Sequence, residues 1–234
     1  RVGDMRPRIP GFPAASVATA ALAVAAALAV AWAWASPAAA QAFGRNKVQT
    51  ARHDWRVLVT PHFEIHHYDG ADELAVRASL IAERAYREYA DRLDHELARR
   101  VPFILYASHA DFAQTNIADE LIGEGTGGFS EPYRNRMVLP YGGSHEEFVH
   151  VIRHELVHVF MFDVAFGSSR AATARSPFFR IPLWYAEGFA EWLSSGWDAN
   201  ADMFVRDATI NDYLWPLEEA GGYAVYKQGQ AAMR

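Results

Sequence analysis

The sequence predicts an α+β domain in which a small mixed sheet packs on long helices, and three observations carry that expectation. The stretch WRVLVTPHFEIHHY, residues 55–68, places Val57, Val59, Phe63 and Ile65 at alternate positions, the period of a strand. From Asp72 to about Leu97 the apolar residues recur at helical spacing. Ser144 followed three residues later by Glu147 has the pattern of a capping box that opens a second long helix, running to about Phe166.

Pro61 interrupts the first extended stretch, which therefore reads as a strand or a strand pair. In the helix that follows, Leu74, Leu80, Ile81, Ala85, Tyr89 and Leu93 form the apolar set, and Glu83, Arg84, Arg87 and Glu88 take the remaining positions. VPFILYAS, from Val101, has the length and composition of a buried strand, and HADFAQTN after it suits a brief helix or turn. Glycine-rich turns then flank two short strands, Gly128 to Glu131 and Arg136 to Pro140. A loop of Ser, Ala, Arg and Pro, Gly167 to Pro177, leads to a third helix beginning PLWYAEGFAEWLSS. That helix has Pro182 near its first turn and Gly196 past its end. About forty Trp- and Tyr-rich residues remain, and they are expected to be helical.

Composition narrows the function. With 51% hydrophobic and 21% charged residues the chain has the make-up of a globular protein. Its net charge is -6 and its Lys and Arg residues are scattered, so the basic stripe of a nucleic-acid binder is missing. It has no cysteine, so any metal must be held by His, Asp or Glu. Near the N-terminus RPRIPGF supplies positive charge, Val17 to Trp34 is apolar, and SPAAAQA ends the run with small residues. This is the layout of a secretory signal peptide, residues 1–42, cleaved after Ala42. A secreted or periplasmic protein without a stable membrane span after cleavage is the expectation. An uncleaved anchor is the competing one, because about 18 apolar residues just span a bilayer. Met5 is a credible start, and YAVYKQGQAAMR ends within a helical pattern, so residues 43–234 read as one domain truncated at its C-terminus.

The segment VIRHELVHVFMFD, from Val151, holds the chemistry. Residues four apart lie on one helix face about 6 Å apart along the axis, so His154 and His158 can aim both imidazoles at one point. Glu155, one residue round, stays near that point without having to bind there and can take a proton from water. His150 is also four residues from His154 and forms a competing pair, with no glutamate in the corresponding place.

A hydrolytic zinc site needs a third protein ligand and an open position. WYAEGFAEW offers Glu187 and Glu191, four apart on an apolar helix where two carboxylates are costly without partners. In the arrangement this suggests, Glu187 binds the metal and Glu191 accepts the N–H of a ligand histidine. His66 and His67 are adjacent in a strand and point to opposite faces, so they are poor joint ligands. Trp184, Trp192, Trp197 and Trp215 read as core residues and receive no role.

HELVH followed by PLWYAEGFAEW resembles the gluzincin zinc metallopeptidases, in which the ligand glutamate opens a short E-x-x-x-(D or E) motif on the next helix. TPHFEIHHY, ILYASHADFAQTN, GEGTGGFSE, NRMVLPYGG and VIRHELVHVF together look more narrowly like the peptidase MA-like domain that precedes a Tol-type β-propeller in some secreted bacterial proteins. The resemblance covers most of residues 50–234. It implies a zincin-like fold, Zn2+ held by His154, His158 and Glu187, Glu155 as general base, and Glu191 as the carboxylate behind a ligand histidine. It also implies a β-propeller as neighbour in the full-length chain. The 28 residues between His158 and Glu187 are a longer gap than in thermolysin-like patterns.

Peptide hydrolysis by a metal-activated water is the activity so implied, with a peptide or protein as substrate. An extended substrate would add to an edge strand, for which Arg136 to Leu139 and Gly128 to Glu131 are the two candidates; glycines that merely make tight turns are an equal reading. The intermediate needs a further donor, and Tyr223 and Tyr226 come late enough in the chain to serve, without either being singled out. Two other functions stay open: a non-catalytic envelope module stabilised by its metal, and hydrolysis of an amide in a cell-wall component.

Overall fold

Pro61 divides the first extended stretch into two antiparallel strands, β1 (Trp55–Val59) and β2 (Phe63–Tyr68). A computed structural model of the chain describes residues 47, 49–118, 121–167 and 181–234. The expected signal peptide and its cleavage site lie outside them, as does the loop from Gly167 to Pro177 apart from Gly167. The hairpin register sets Leu58 opposite Ile65 and Val57 opposite His66. Odd-numbered residues of β1 therefore share a face with even-numbered residues of β2. Phe63 and Ile65 are fully buried while Val57 and Val59 are 48% and 56% exposed, so the alternation locates β1 but not which of its faces is covered.

Helix α1 (Asp72–Leu93) carries the chain from β2 to β3 (Val101–Tyr106), which pairs parallel to β2. Parallel neighbours require such a crossover. Its buried stripe is mostly small, with Ala75, Ala78, Ala82 and Ala85 beside Leu74, Tyr86 and Tyr89, and Leu80 faces solvent. The helix stops a turn before the expected Leu97 because Asp94 adopts a left-handed conformation at φ 47°, ψ 46°. Its N–H returns to the carbonyls of Ala90 and Asp91, the geometry usually left to glycine.

A one-turn helix α2 (His109–Phe112), capped by Ser108, precedes β4 (Phe129–Glu131) and β5 (Arg136–Pro140). The sheet order is β1-β2-β3-β5-β4, with the two outer pairs antiparallel and the inner pairs parallel. Of the two candidate edge strands, β4 is at the edge. The expectation for Arg136 to Leu139 is corrected, because β5 pairs with β3 on one side and β4 on the other.

Helix α3 (His145–Phe166) begins as the capping pattern indicates, with Ser144 Oγ accepting from the Glu147 N–H at 3.3 Å. Helices α4 (Leu183–Ser195), α5 (Ala199–Ile210) and α6 (Tyr223–Met233) complete the fold. The described residues thus form an α+β structure of five strands and six helices. One sheet face, including Phe63, Phe103, Leu105 and Leu139, joins α1, α3 and α4 in a single core. A smaller cluster of Tyr68, Tyr106, Phe112 and Val138 lies on the other face. No helix of the described residues is long and apolar enough to cross a membrane. Trp184, Trp192 and Trp197 are only half-buried and Trp215 is exposed, so none of the four is a core residue.

Glu83 ties the hairpin to α1. Its Oε1 accepts from Thr60 Oγ1 at 2.6 Å and from the His62 N–H at 2.9 Å, and its Oε2 meets His62 Nδ1 at 2.7 Å. Burial pushes this carboxyl up, but the hydrogen bonds from Thr60 and His62 and the charge of His62 outweigh it and hold it below 4.5. A depressed folded pKa means the ionised group stabilises the fold above the ordinary carboxylate value, and that stability is lost as pH falls through the lowered one. Glu83→Gln is expected to cost about 1–3 kcal/mol at neutral pH. In thermal melts across pH, the gap between wild type and variant should close below about pH 4.5.

Candidate metal centre

From His154 to Met161 every residue of α3 is buried, because the sheet, α1 and α4 pack around it. Into this interior it carries His154, Glu155 and His158, which are only 7%, 6% and 7% exposed. Groups of this kind are buried only when partnered. Helix α4 crosses α3 and brings the partners. The His154 and His158 Nε2 atoms lie 3.2 Å apart, and Glu187 Oε2 is 3.1 Å from the first and 3.4 Å from the second. Three donor atoms from two helices thus meet at the corners of a nearly equilateral triangle, and they can hold a metal ion.

The electrostatics suit a cation. Burial pushes the Glu187 carboxyl up, yet hydrogen bonds and charge from both imidazoles hold it down at about 2. Burial pulls His158 down, but its hydrogen bond to Glu187 and the negative charges of Glu155 and Glu187 leave it raised. One oxygen of Glu155 is buried with no hydrogen-bond partner among the described residues. Glu155 and the three donors open onto one cleft of about 740 Å³, bordered by Ser130, Phe162 and Tyr226.

Edge strand β4 forms one wall of this cleft. Gly128, just before it, is needed for the close approach, since a Cβ there would stand 2.9 Å from Leu139 Cβ and 3.1 Å from Val151 Cγ1. Ser130 then donates to the carbonyl of Glu155 at 2.9 Å, fastening the strand to α3. On the far side of the helix, Arg153 donates two bonds to Glu88 of α1, at 2.8 and 2.9 Å, and one to the Ser194 carbonyl at 3.0 Å. The residue before His154 therefore sets the spacing of α1, α3 and α4.

Glu191 stands behind His154. Its Oε1 is 3.6 Å from His154 Nδ1, at ion-pair distance, so the hydrogen bond expected from a ligand histidine is not formed and the nitrogen has no hydrogen-bond partner among the described residues. The same oxygen is 3.3 Å from His150 Nε2, whose Nδ1 meets Ser195 Oγ at 2.9 Å. Burial raises this carboxyl, and His150, His154 and Lys227 outweigh it to leave it at about 2. His150, His154 and Glu191 form a second cluster of metal-ligand type. There, however, the ammonium of Lys227 already sits 3.2 Å from Glu191 Oε2, supplying the positive charge in place of an ion. His66 and His67 belong to neither cluster.

Two features were not drawn from the sequence. Gly188 of α4 and Gly229 of α6 mark a crossing so tight that a Cβ on Gly188 would fall 2.2 Å from the Gly229 carbonyl carbon. Isolated glycines inside two helical patterns were the available signal. Lys227 gave none, because a lysine in a helix is ordinarily solvated. The crossing also separates the two late tyrosines. Tyr226 lines the cleft with its ring 5.9 Å from that of His154, whereas Tyr223 is 55% exposed and packs against Phe204.

A scan of protein-family models, a search of curated proteins and a search of solved structures each find no match to this chain.

Gly188→Ala is expected to push α4 and α6 apart and to destabilise the protein by at least about 1–3 kcal/mol, the range for overpacking. At this chain length that is a fall of several degrees in Tm, at about 2–4 °C per kcal/mol. Calorimetry checks this, and an unchanged Tm would mean that the helices are not held this close.

Proposed function

We propose that this protein is a secreted zinc metallopeptidase of the zincin type, and that it hydrolyses peptide bonds with Glu155 as general base. The observation that carries the reading is the meeting of His154 Nε2, His158 Nε2 and Glu187 Oε2 at an open cleft with the unpartnered carboxylate oxygen of Glu155 beside them. Zinc bonds of about 2.0–2.2 Å at tetrahedral angles separate their donors by about 3.3–3.6 Å. Of the observed separations, 3.4 Å falls in that range, and 3.2 and 3.1 Å are shorter than its lower end, so the three donors stand slightly closer together than zinc would hold them. Three protein ligands with a face left open is the arrangement of a catalytic zinc site, since structural sites are closed by a fourth.

A zinc ion held there supplies a Lewis acid for a carbonyl oxygen and makes water acidic enough to attack near neutral pH. The remaining work falls to the chain. Glu155 takes the proton of the attacking water and delivers it to the leaving amine. Burial, the charges of Glu187, Glu155 and Glu191, and a hydrogen bond to Glu187 push the Tyr226 phenol up to about 12, so it stays protonated and can donate to the developing oxyanion. Glu191 places negative charge 3.6 Å behind the Nδ1 of His154, which favours a proton on that nitrogen and leaves Nε2 free for the metal. An extended substrate lies along β4, whose outer edge has no strand partner among the described residues.

The signal-peptide pattern of residues 1–42 supports secretion or a periplasmic location, and the resemblance to peptidase MA-like domains supports a β-propeller neighbour in the full-length protein.

Glu155→Gln should retain zinc while peptide cleavage falls by about 10²–10⁴-fold, the usual contribution of a positioned acid–base group. Glu187→Ala should lose zinc as measured by elemental analysis. Unchanged hydrolysis in Glu155→Gln sinks the mechanism, and a zinc-loaded wild type that cleaves nothing in a peptide library returns the site to the non-catalytic envelope module.

A further inference from the structure

Lys227 is 6% exposed, and a lysine so deeply buried has its charge answered by a specific partner. That partner is Glu191, itself 6% exposed, whose Oε2 is 3.2 Å from the ammonium. The two oxygens of Glu191 are thereby divided. Oε2 is held from α6, and Oε1 faces the Nδ1 of His154 at 3.6 Å and His150 Nε2 at 3.3 Å. The other surroundings of Lys227 are weaker contacts within α6, namely Gln230 Oε1 at 3.5 Å and the Tyr223 ring at 5.6 Å. Gln230, fully buried, donates in turn to the carbonyl of Gly196 at the end of α4. The Gly188–Gly229 crossing brings α6 close enough for these contacts to form.

Tyr226 and Lys227 are consecutive, so on a helix they point about 100° apart. Tyr226 presents its ring toward His154 on the cleft side, and Lys227 reaches Glu191 behind the same histidine. One turn of α6 therefore brackets His154 from both sides.

We propose that Lys227 is a positioning residue of the metal centre: it anchors Glu191 so that one carboxylate oxygen is kept for His154, and so tightens metal binding without touching the metal. The inference rests on the zinc reading of His154, His158 and Glu187, and it adds a helix that this ligand set does not include. It also accounts for the second cluster of His150, His154 and Glu191, in which Lys227 is the resident cation.

The test is a double-mutant cycle on zinc affinity, measured on the whole chain by competition with a chromogenic chelator. The variants are Lys227→Met, Glu191→Gln and the pair. Partners behind a metal ligand typically contribute about 10–100-fold in affinity. Lys227→Met should therefore weaken zinc binding by about tenfold or more, and the double variant should bind no more weakly than Glu191→Gln alone, because the lysine acts through the glutamate. Circular dichroism establishes that each variant is folded. If Lys227→Met is not, Lys227→Gln, which keeps a neutral donor, replaces it in the same cycle. Unchanged affinity in the single variant, independent losses that multiply in the double, or two zinc ions per wild-type chain would each overturn the proposal. A folded wild type that binds no zinc overturns instead the reading of the centre itself, so the two failures are distinguishable.

Discussion

His154, Glu155 and His158 are buried on consecutive turns of one apolar helix, and the surrounding structure is arranged around the cost of that burial. Removing an ionisable group from water without a partner costs several kcal/mol, more than most single contacts return. Helix α4 meets the demand by placing Glu187 against both imidazoles and Glu191 behind one of them. Glu191 is itself buried, and α6 answers it with Lys227. Each buried charge thus calls for the next, from α3 to α4 to α6, and the Gly188–Gly229 crossing brings the last of them near enough. The Arg153 clamp performs the matching task on the other side of α3, where Glu88 and the Ser194 carbonyl hold its neighbours at a set distance.

The sheet contributes position rather than chemistry. Its inner strands are parallel and buried, and they provide a stiff apolar floor under α1 and α3. Only at β4 does the sheet reach the cleft, and Gly128 and Ser130 make that approach close. The cleft therefore lies between the edge strand and α3, with most of its polar groups on helices. A site that orders donor atoms to within a few tenths of an ångström needs such supports.

Much of the fold was legible because it follows from local patterns. The hairpin, the three strands after it, the capped start of α3 and the glycine end of α4 each answer to a period or a turn residue. Two of the expectations that needed correction turn on pairing. Which face of β1 is covered depends on the hairpin register, which sets Leu58 and not Val57 opposite Ile65. Whether Arg136 to Leu139 is an edge depends on which strands flank it, and a strand's own composition does not carry that. The early end of α1 came from Asp94 taking a conformation that usually marks a glycine.

The sequence by itself determined the spacing within each helix: two imidazoles four residues apart, a glutamate beside the first, and two carboxylates four apart further on. The 3.6-residue turn converts such spacings directly into shared faces, so no distant contact is needed to read them. Only the tertiary structure decided that Glu187 meets both histidines, that Glu191 stands behind His154, that Tyr226 rather than Tyr223 lines the cleft, and that Lys227 is buried. The first two depend on how α4 crosses α3, and the last two on how α6 crosses α4. That crossing is set by packing between segments some forty residues apart, where two glycines permit backbone contact, and no periodicity within either segment encodes the partner it will meet.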